Sequence, residues 1–274
     1  MSDTLVAMGL AVLATVLIVW LRYLLVSGFF ALWTHRAHPG LYHGQGQQIR
    51  REIWWSTAAA VIYGAPAGAV LWLWASGQDT AIYTRPADHP LWWLAGAPLL
   101  YLFIHDGWFY WSHRLLHLPA LYRRCHLVHH RSHPPTAWAA MSFHWTESIS
   151  GAWLIPALAL IIPIHIAGLG VVMTIMTLFG VTNHLGWEIW PRRWVYGPLG
   201  AWIITATHHD THHRKNKGNY GLYFRFWDRL CGTDLGFSNF GADRAASQRS
   251  SRAGGPTRPG RNRPADDHHQ QSAQ

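Results

Sequence analysis

Three apolar stretches, Leu5 to Val26, Ile53 to Ala75 and Leu91 to Trp111, limit what this chain can fold into more than any other feature. The hydrocarbon core of a bilayer takes roughly 20 residues in helix. Within it every backbone polar group must bond inside its own segment. Each stretch therefore predicts a spanning helix, and together they predict an all-α, polytopic integral membrane protein. The apolar region Ile149 to Val181 is divided by Pro156 and Pro163 and reads as a tight hairpin of two short spans. Composition agrees: 50% of the 274 residues are hydrophobic and 13% charged, against roughly a quarter charged in soluble domains. The 18 Trp and 10 Tyr suit a protein with two membrane interfaces.

Charge orients the spans. The loop Thr34 to Glu52 contains Arg36, Arg50 and Arg51, whereas the loop Ser76 to Pro90 contains Arg85 beside Asp79 and Asp88. By the positive-inside rule the first loop is cytosolic and the second is not. The third span returns the chain to the cytosol before Arg114, Arg123, Arg124 and Arg131, and the hairpin returns it there for Arg192 and Arg193.

The net charge of +9 lies in loops beside apolar runs and in the tail, with no nucleic-acid-binding motif, so no nucleic acid partner is expected. Cys125 and Cys231 are too few for a disulfide framework and read as reduced cytosolic thiols. The N-terminus lacks a basic n-region and its first apolar stretch is long enough to span, so no cleavable signal peptide is expected. Only Lys215 and Lys217 are Lys among 22 basic residues. That skew fits a GC-rich genome and a bacterial cytoplasmic (inner) membrane. Three regions follow: transmembrane helices and loops over 1–90, a histidine-rich catalytic domain over 91–240, and a polar tail over 241–274 too poor in apolar residues to fold.

The chemistry lies in histidines, spaced HRLLH at His113 and His117, HLVHH at His126, His129 and His130, and HDTHH at His209, His212 and His213. Helical residues three and four apart share a face, so each group points its imidazoles one way. Eight convergent imidazoles exceed one tetrahedral metal and suit two. Asp106, Tyr110, His113 and His117 follow i, i+4, i+7, i+11 and fall within an arc of about 60°. Asp106 and Tyr110 are therefore the candidate catalytic and supporting residues, Asp106 as acceptor for the free N–H of a metal-bound imidazole. His184, where the hairpin ends, is a candidate ninth ligand. His144 is balanced between ligand and structural roles, and His133 is a weak candidate beside Pro134 and Pro135. His105 and His208 point off the ligand faces, a bend at Pro163 accounts for His165, and His268 and His269 are incidental to the tail.

The chain resembles the fatty acid hydroxylase superfamily, which includes the sterol desaturases. The resemblance rests on the histidine groups with Asp106, Tyr110-Trp111, Thr136-Ala137, His144, Glu147, Asn183-His184, Asn219-Tyr220-Gly221, Trp227-Asp228-Arg229-Leu230 and Gly232-Thr233. Trp145 stands where the family usually has Pro, and Thr205-Ala206-Thr207 where Pro often precedes the last histidine group. The resemblance implies a four-helix transmembrane stem, a cytosolic helical cap and a diiron site. It also implies O2 as co-substrate and hydroxylation or desaturation of a fatty acyl, sterol or carotenoid substrate. No flavin, haem or ferredoxin motif occurs in the chain, so an external electron donor is expected, a ferredoxin- or cytochrome-type protein with its reductase. Arg123, Arg124, Arg192 and Arg193 offer it a basic surface. Trp108, Phe109 and Trp187 are candidates to line an apolar substrate path. The alternatives are a membrane metal transporter, disfavoured because only His105 and His165 lie within the bilayer, and a zinc-dependent membrane hydrolase, disfavoured by the absence of HExxH.

Overall fold

The structure, a computed structural model, describes residues 2–237; the expected polar tail, with His268 and His269, lies outside them. Four long helices form a stem: α1 (Ser2–Ala37), α2 (Gly46–Ala75), α3 (Trp93–Leu116) and, later in the chain, α8 (Ile166–Asn183). Short elements build a cap at the end where α1, α3 and α8 finish. These are α4 (Pro119–Leu121), a π-helical turn (Tyr122–His126), α5 (Leu127–His130), α9 (Arg192–Val195), α10 (Ala206–Lys215) and α11 (Phe226–Leu230). Between the two halves of the cap run α6 (Trp145–Ala152) and α7 (Leu154–Ile161).

Helices α1, α2 and α8 are each long and apolar enough to cross a membrane, and the chain is an integral membrane protein. The expected third span is present as the 24-residue α3, but it is not among those three. Its length suffices; its apolarity is diluted by His105, Asp106, His113 and Arg114, which face inward or sit at the cap. The expected hairpin is α6–α7 followed by α8, with a refinement. The break falls at Trp153, and Pro156 sits in the first turn of α7, where its missing N–H costs no helical hydrogen bond. Helix α1 continues eleven residues beyond Val26. No breaker interrupts it there, and the cap supplies partners: the Trp138 ring lies against Gly28 and the Trp187 indole donates to Thr34 Oγ1 at 2.9 Å.

At the opposite end the hairpin turn is tied to the loop after α2. Strands β1 (Ile82–Tyr83) and β2 (Ile164–His165) pair in parallel, Trp93 Nε1 donates to Pro163 O, and the Tyr101 hydroxyl donates to Ile162 O. His165 caps α8 by accepting from the Ala167 N–H, a structural role. Helices α1 and α2 meet so closely that a Cβ on Gly64 or Gly68 would lie 2.6 Å from the Cα of Val16 or Val12. Small residues let membrane helices approach in this way. Because the obstruction is backbone, Gly68→Leu is expected to cost about 1–3 kcal/mol, measured as a lowered unfolding midpoint in detergent against an exposed control such as Gly9→Leu.

Candidate metal centre

Nine histidines from five elements converge in two adjacent nests. In one, His113, His117, His126, His130 and His212 bring ring nitrogens within 4.8 Å of one another; in the other, His129, His184, His209 and His213 do the same. All are buried except the half-buried His117. Each histidine four residues from another on one helix shares its nest, as in His113/His117, His126/His130 and His209/His213. The members three residues on, His129 and His212, enter the opposite nest. Each HxxHH segment thus bridges both. The π-helical turn ending at His126 closes through an N–H of Leu127 to Tyr122 O, a local widening frequent at functional sites.

Nε2 separations within the nests are 3.0 Å for His113/His126, 3.2 Å for His117/His130, 3.1 Å for His130/His212, 3.3 Å for His129/His184, 2.9 Å for His184/His209 and 3.1 Å for His209/His213. Ligands about 2.0–2.1 Å from one ion would lie about 2.9–3.4 Å apart at right-angle to tetrahedral geometry. Tautomers make the case sharper. Nδ1 of His113 faces Tyr220 O at 2.8 Å, Nδ1 of His212 faces Gly218 O at 2.9 Å, and Nδ1 of His184 faces Gly180 O at 2.6 Å. A carbonyl only accepts, so each Nδ1 carries the proton and each Nε2 presents a lone pair. His126 Nδ1 likewise faces Glu147 Oε1 at 2.8 Å. The Nε2 lone pair of His113 points at the Nε2 of His126, an arrangement that a cation between the two rings makes favourable. The donor set therefore fits a metal ion in each nest.

Burial, reinforced by neighbouring imidazoles, holds His126, His129, His130, His209 and His213 well below the ordinary histidine range. Burial likewise takes His212 to about 3 and His117 to about 4. All are neutral at neutral pH, as ligands must be.

The loop after α10 supplies two of these four acceptors, the carbonyls of Gly218 and Tyr220. Asn216, in the left-handed conformation at φ 53, ends α10 and turns the chain back under it. Asn219 then donates to His208 O and Gly236 O and accepts from Leu235 N. Asp228 accepts from the N–H groups of Tyr220 and Gly221. Gly221 has no room for a side chain, since a Cβ would lie 2.6 Å from Phe224 O. Glu188 accepts from the N–H and hydroxyl of Thr207 at the start of α10, supplying the cap that Thr205 does not.

Two expected roles are corrected. Asp106 does not orient a histidine: its Oδ1 accepts from Leu222 N at 3.1 Å and Tyr223 N at 2.7 Å, because the loop lies between it and the nests. It braces the segment whose Tyr220 carbonyl holds His113. Tyr110 turns away to Thr233 Oγ1 and Arg114, its ring stacked on Trp227. The carboxylate that meets an imidazole is Glu147, which helical phase could not find because it lies on a different element. His105 meets the Tyr223 hydroxyl, His208 lies against Phe237, and His144 caps α6 through Thr146. None of these three, nor His133, belongs to either nest.

A cavity of ≈ 260 Å³ opens from the nests into the stem, where His113, His126, His129, His184 and His209 form part of its wall. Phe109 lines it as expected. Trp108 and Trp187 do not; their indoles are held by Ser150 O and Thr34.

A helical membrane stem capped by two all-imidazole nests defines the class: a membrane histidine-box protein. The chain belongs to the fatty acid hydroxylase family, whose profile matches residues 98–233. It is 32% identical over 186 residues to the cholesterol 25-hydroxylase-like protein of Danio rerio, covering 63% of this chain and 67% of that one. Against the C-4 methylsterol oxidase of Schizosaccharomyces pombe it is 30% identical over 177 residues, 63% and 57% of the two chains. Against methylsterol monooxygenase 1 of Rattus norvegicus it is 35% identical over 133 residues, 48% and 44%. The chain thus spans about half the length of these last two relatives. No solved structure matches.

Asp106→Ala leaves two buried N–H groups without an acceptor and is expected to cost about 1–3 kcal/mol for each, read as a lowered unfolding midpoint. Acid should act on the same region. The nest histidines take up protons near pH 6.5 when unfolded but, with pKa values lowered by folding, not in the native state. The unfolded chain then binds more protons, so stability falls as pH drops from about 6.5 towards 4. Unfolding midpoints across that window should decline steeply below pH 6.5 and be flat from pH 7 to 8.

Proposed function

We propose that this protein is a membrane-bound non-haem diiron oxygenase that hydroxylates or desaturates a C–H bond of a lipid, whether fatty acyl, sterol or carotenoid. The observation that carries the reading is the pair of neutral, all-imidazole nests opening on an apolar cavity within a membrane stem. His113, His117, His126, His130 and His212 would hold one iron, and His129, His184, His209 and His213 the other. Bound iron supplies activation of O2, with electrons from a separate donor.

The protein's own residues supply the rest. Carbonyls of Gly180, Gly218 and Tyr220 and the carboxylate of Glu147 hold imidazole Nδ1 atoms, which fixes the tautomer that points Nε2 inward. The cavity wall around Leu169, Met173 and Met176 excludes water and aligns an apolar chain. Family membership supports the oxidative chemistry, and the relatives' names support a lipid substrate. The charge distribution supports a cytosolic site, and the basic residues Arg123, Arg124, Arg192 and Arg193 suit an acidic ferredoxin- or cytochrome-type donor. The predominance of Arg over Lys supports a bacterial inner membrane, to which the fungal and vertebrate relatives add nothing.

The purified protein is expected to contain two irons per chain and to consume O2 when given a reductant and lipid. His212→Ala and His209→Ala should each lower metal content by about one ion, whereas His105→Ala should leave both ions; metal analysis decides. Full metal in both of the first two variants, or metal flux in liposomes without O2 uptake, overturns the reading. Glu147→Leu should weaken metal binding about 10–100-fold, measured by chelator competition.

A further inference from the structure

Arg22 is a cation within the membrane-crossing α1, on the face that lines the cavity with Thr15 and Val19. A charge at such depth is costly and belongs where it meets a partner. Among the described residues the protein offers it none. Its Nε is buried without a hydrogen-bond partner, and no ion pair includes it. The carboxylates of the neighbouring elements form no ion pair with it: Glu52 of α2 bonds Gln48 and Thr136, and Glu147 of α6, on the cavity wall, bonds His126 through Oε1. Helix α8 has no acidic residue.

The position along α1 bears on the ligand. Eight residues farther on, Phe30 packs with Val181 and Leu185, which flank His184. The helix rises about 12 Å over that interval. The wall between is apolar.

We propose that Arg22 is the head-group site for a single-chain lipid carrying a carboxylate, bound with its head on the guanidinium and its chain along the cavity towards the histidines. A guanidinium forks onto a carboxylate through paired charge-assisted hydrogen bonds. A hydroxyl or ester would leave the positive charge unbalanced. The assignment rests on the proposed function in taking this cavity as the substrate's.

The test is equilibrium binding of labelled hexadecanoate, hexadecanol and methyl hexadecanoate to the full-length protein in neutral detergent at pH 8, with no reductant. The acid should bind saturably and about 10–100-fold more tightly than the alcohol or ester. Arg22→Gln should remove that preference while leaving alcohol binding and metal content unchanged, and Arg22→Lys should keep part of it. Equal binding of acid and ester to the wild-type protein, or an undiminished preference in Arg22→Gln, overturns the proposal. The wild-type comparison stands even if a variant fails to fold. Because binding needs neither O2 nor electrons, its failure leaves the oxygenase reading intact. Missing iron or O2 uptake would sink that reading without touching the binding result.

Discussion

Everything in the cap is subordinate to one electrostatic problem. Neutral imidazoles are crowded so closely that their Nε2 atoms lie near 3 Å apart. Such crowding is eased where a ring's other nitrogen is told where to keep its proton. For His113, His126, His184 and His212 the chain supplies acceptors, three of the four of them backbone carbonyls. The loop from Asn216 to Tyr223 exists in its shape because Asp106 and Asp228 accept from its N–H groups and Asn219 ties it to His208, Leu235 and Gly236. With donors satisfied on one side, its carbonyls are free to face His212 and His113. Asp106, the residue that seemed closest to the chemistry, acts at one remove by shaping the loop.

The stem answers a different requirement. Helices α1 and α2 touch through glycine, while α3, α7 and α8 pack an apolar core around Tyr101, Ile164 and Val172. Between these two contacts the interior stays open below the nests. The tie of β1 to β2 at the far end joins the loop after α2 to the hairpin turn, and Ile82 of β1 lines the cavity.

Much of this was legible in the sequence, and what was not has physical causes. Apolar length predicted α1, α2 and the hairpin because length and polarity are what a bilayer demands. Helical phase marked His113, His126 and His212 as sharing ligand faces, and all three are buried in one nest, since side-chain direction on a helix is local. Phase could not say which histidines share a nest, because that depends on how α3, α5, α8 and α10 are packed. It placed Asp106 and Tyr110 on the ligand face yet could not show that the loop after α10 and Trp227 lie between. Glu147 and Glu188 act across elements; the resemblance singled out Glu147 with His144 but not the imidazole it meets, and nothing in the local sequence marks Glu188.

The use of main-chain acceptors has a further consequence. A carbonyl at Gly218 or Tyr220 is encoded by no particular codon, so a side-chain replacement at Tyr220 leaves the acceptor for His113 in place. The part of the orienting layer that serves His113 and His212 is lost by altering the path of the loop. Sequence drift in the loop should therefore be invisible to the metals until it reaches Asp106, Asn219, Gly221 or Asp228, the few side chains and the one missing side chain that set its path. The centre's tolerance of mutation is thus written in its hydrogen-bond wiring rather than in its ligands.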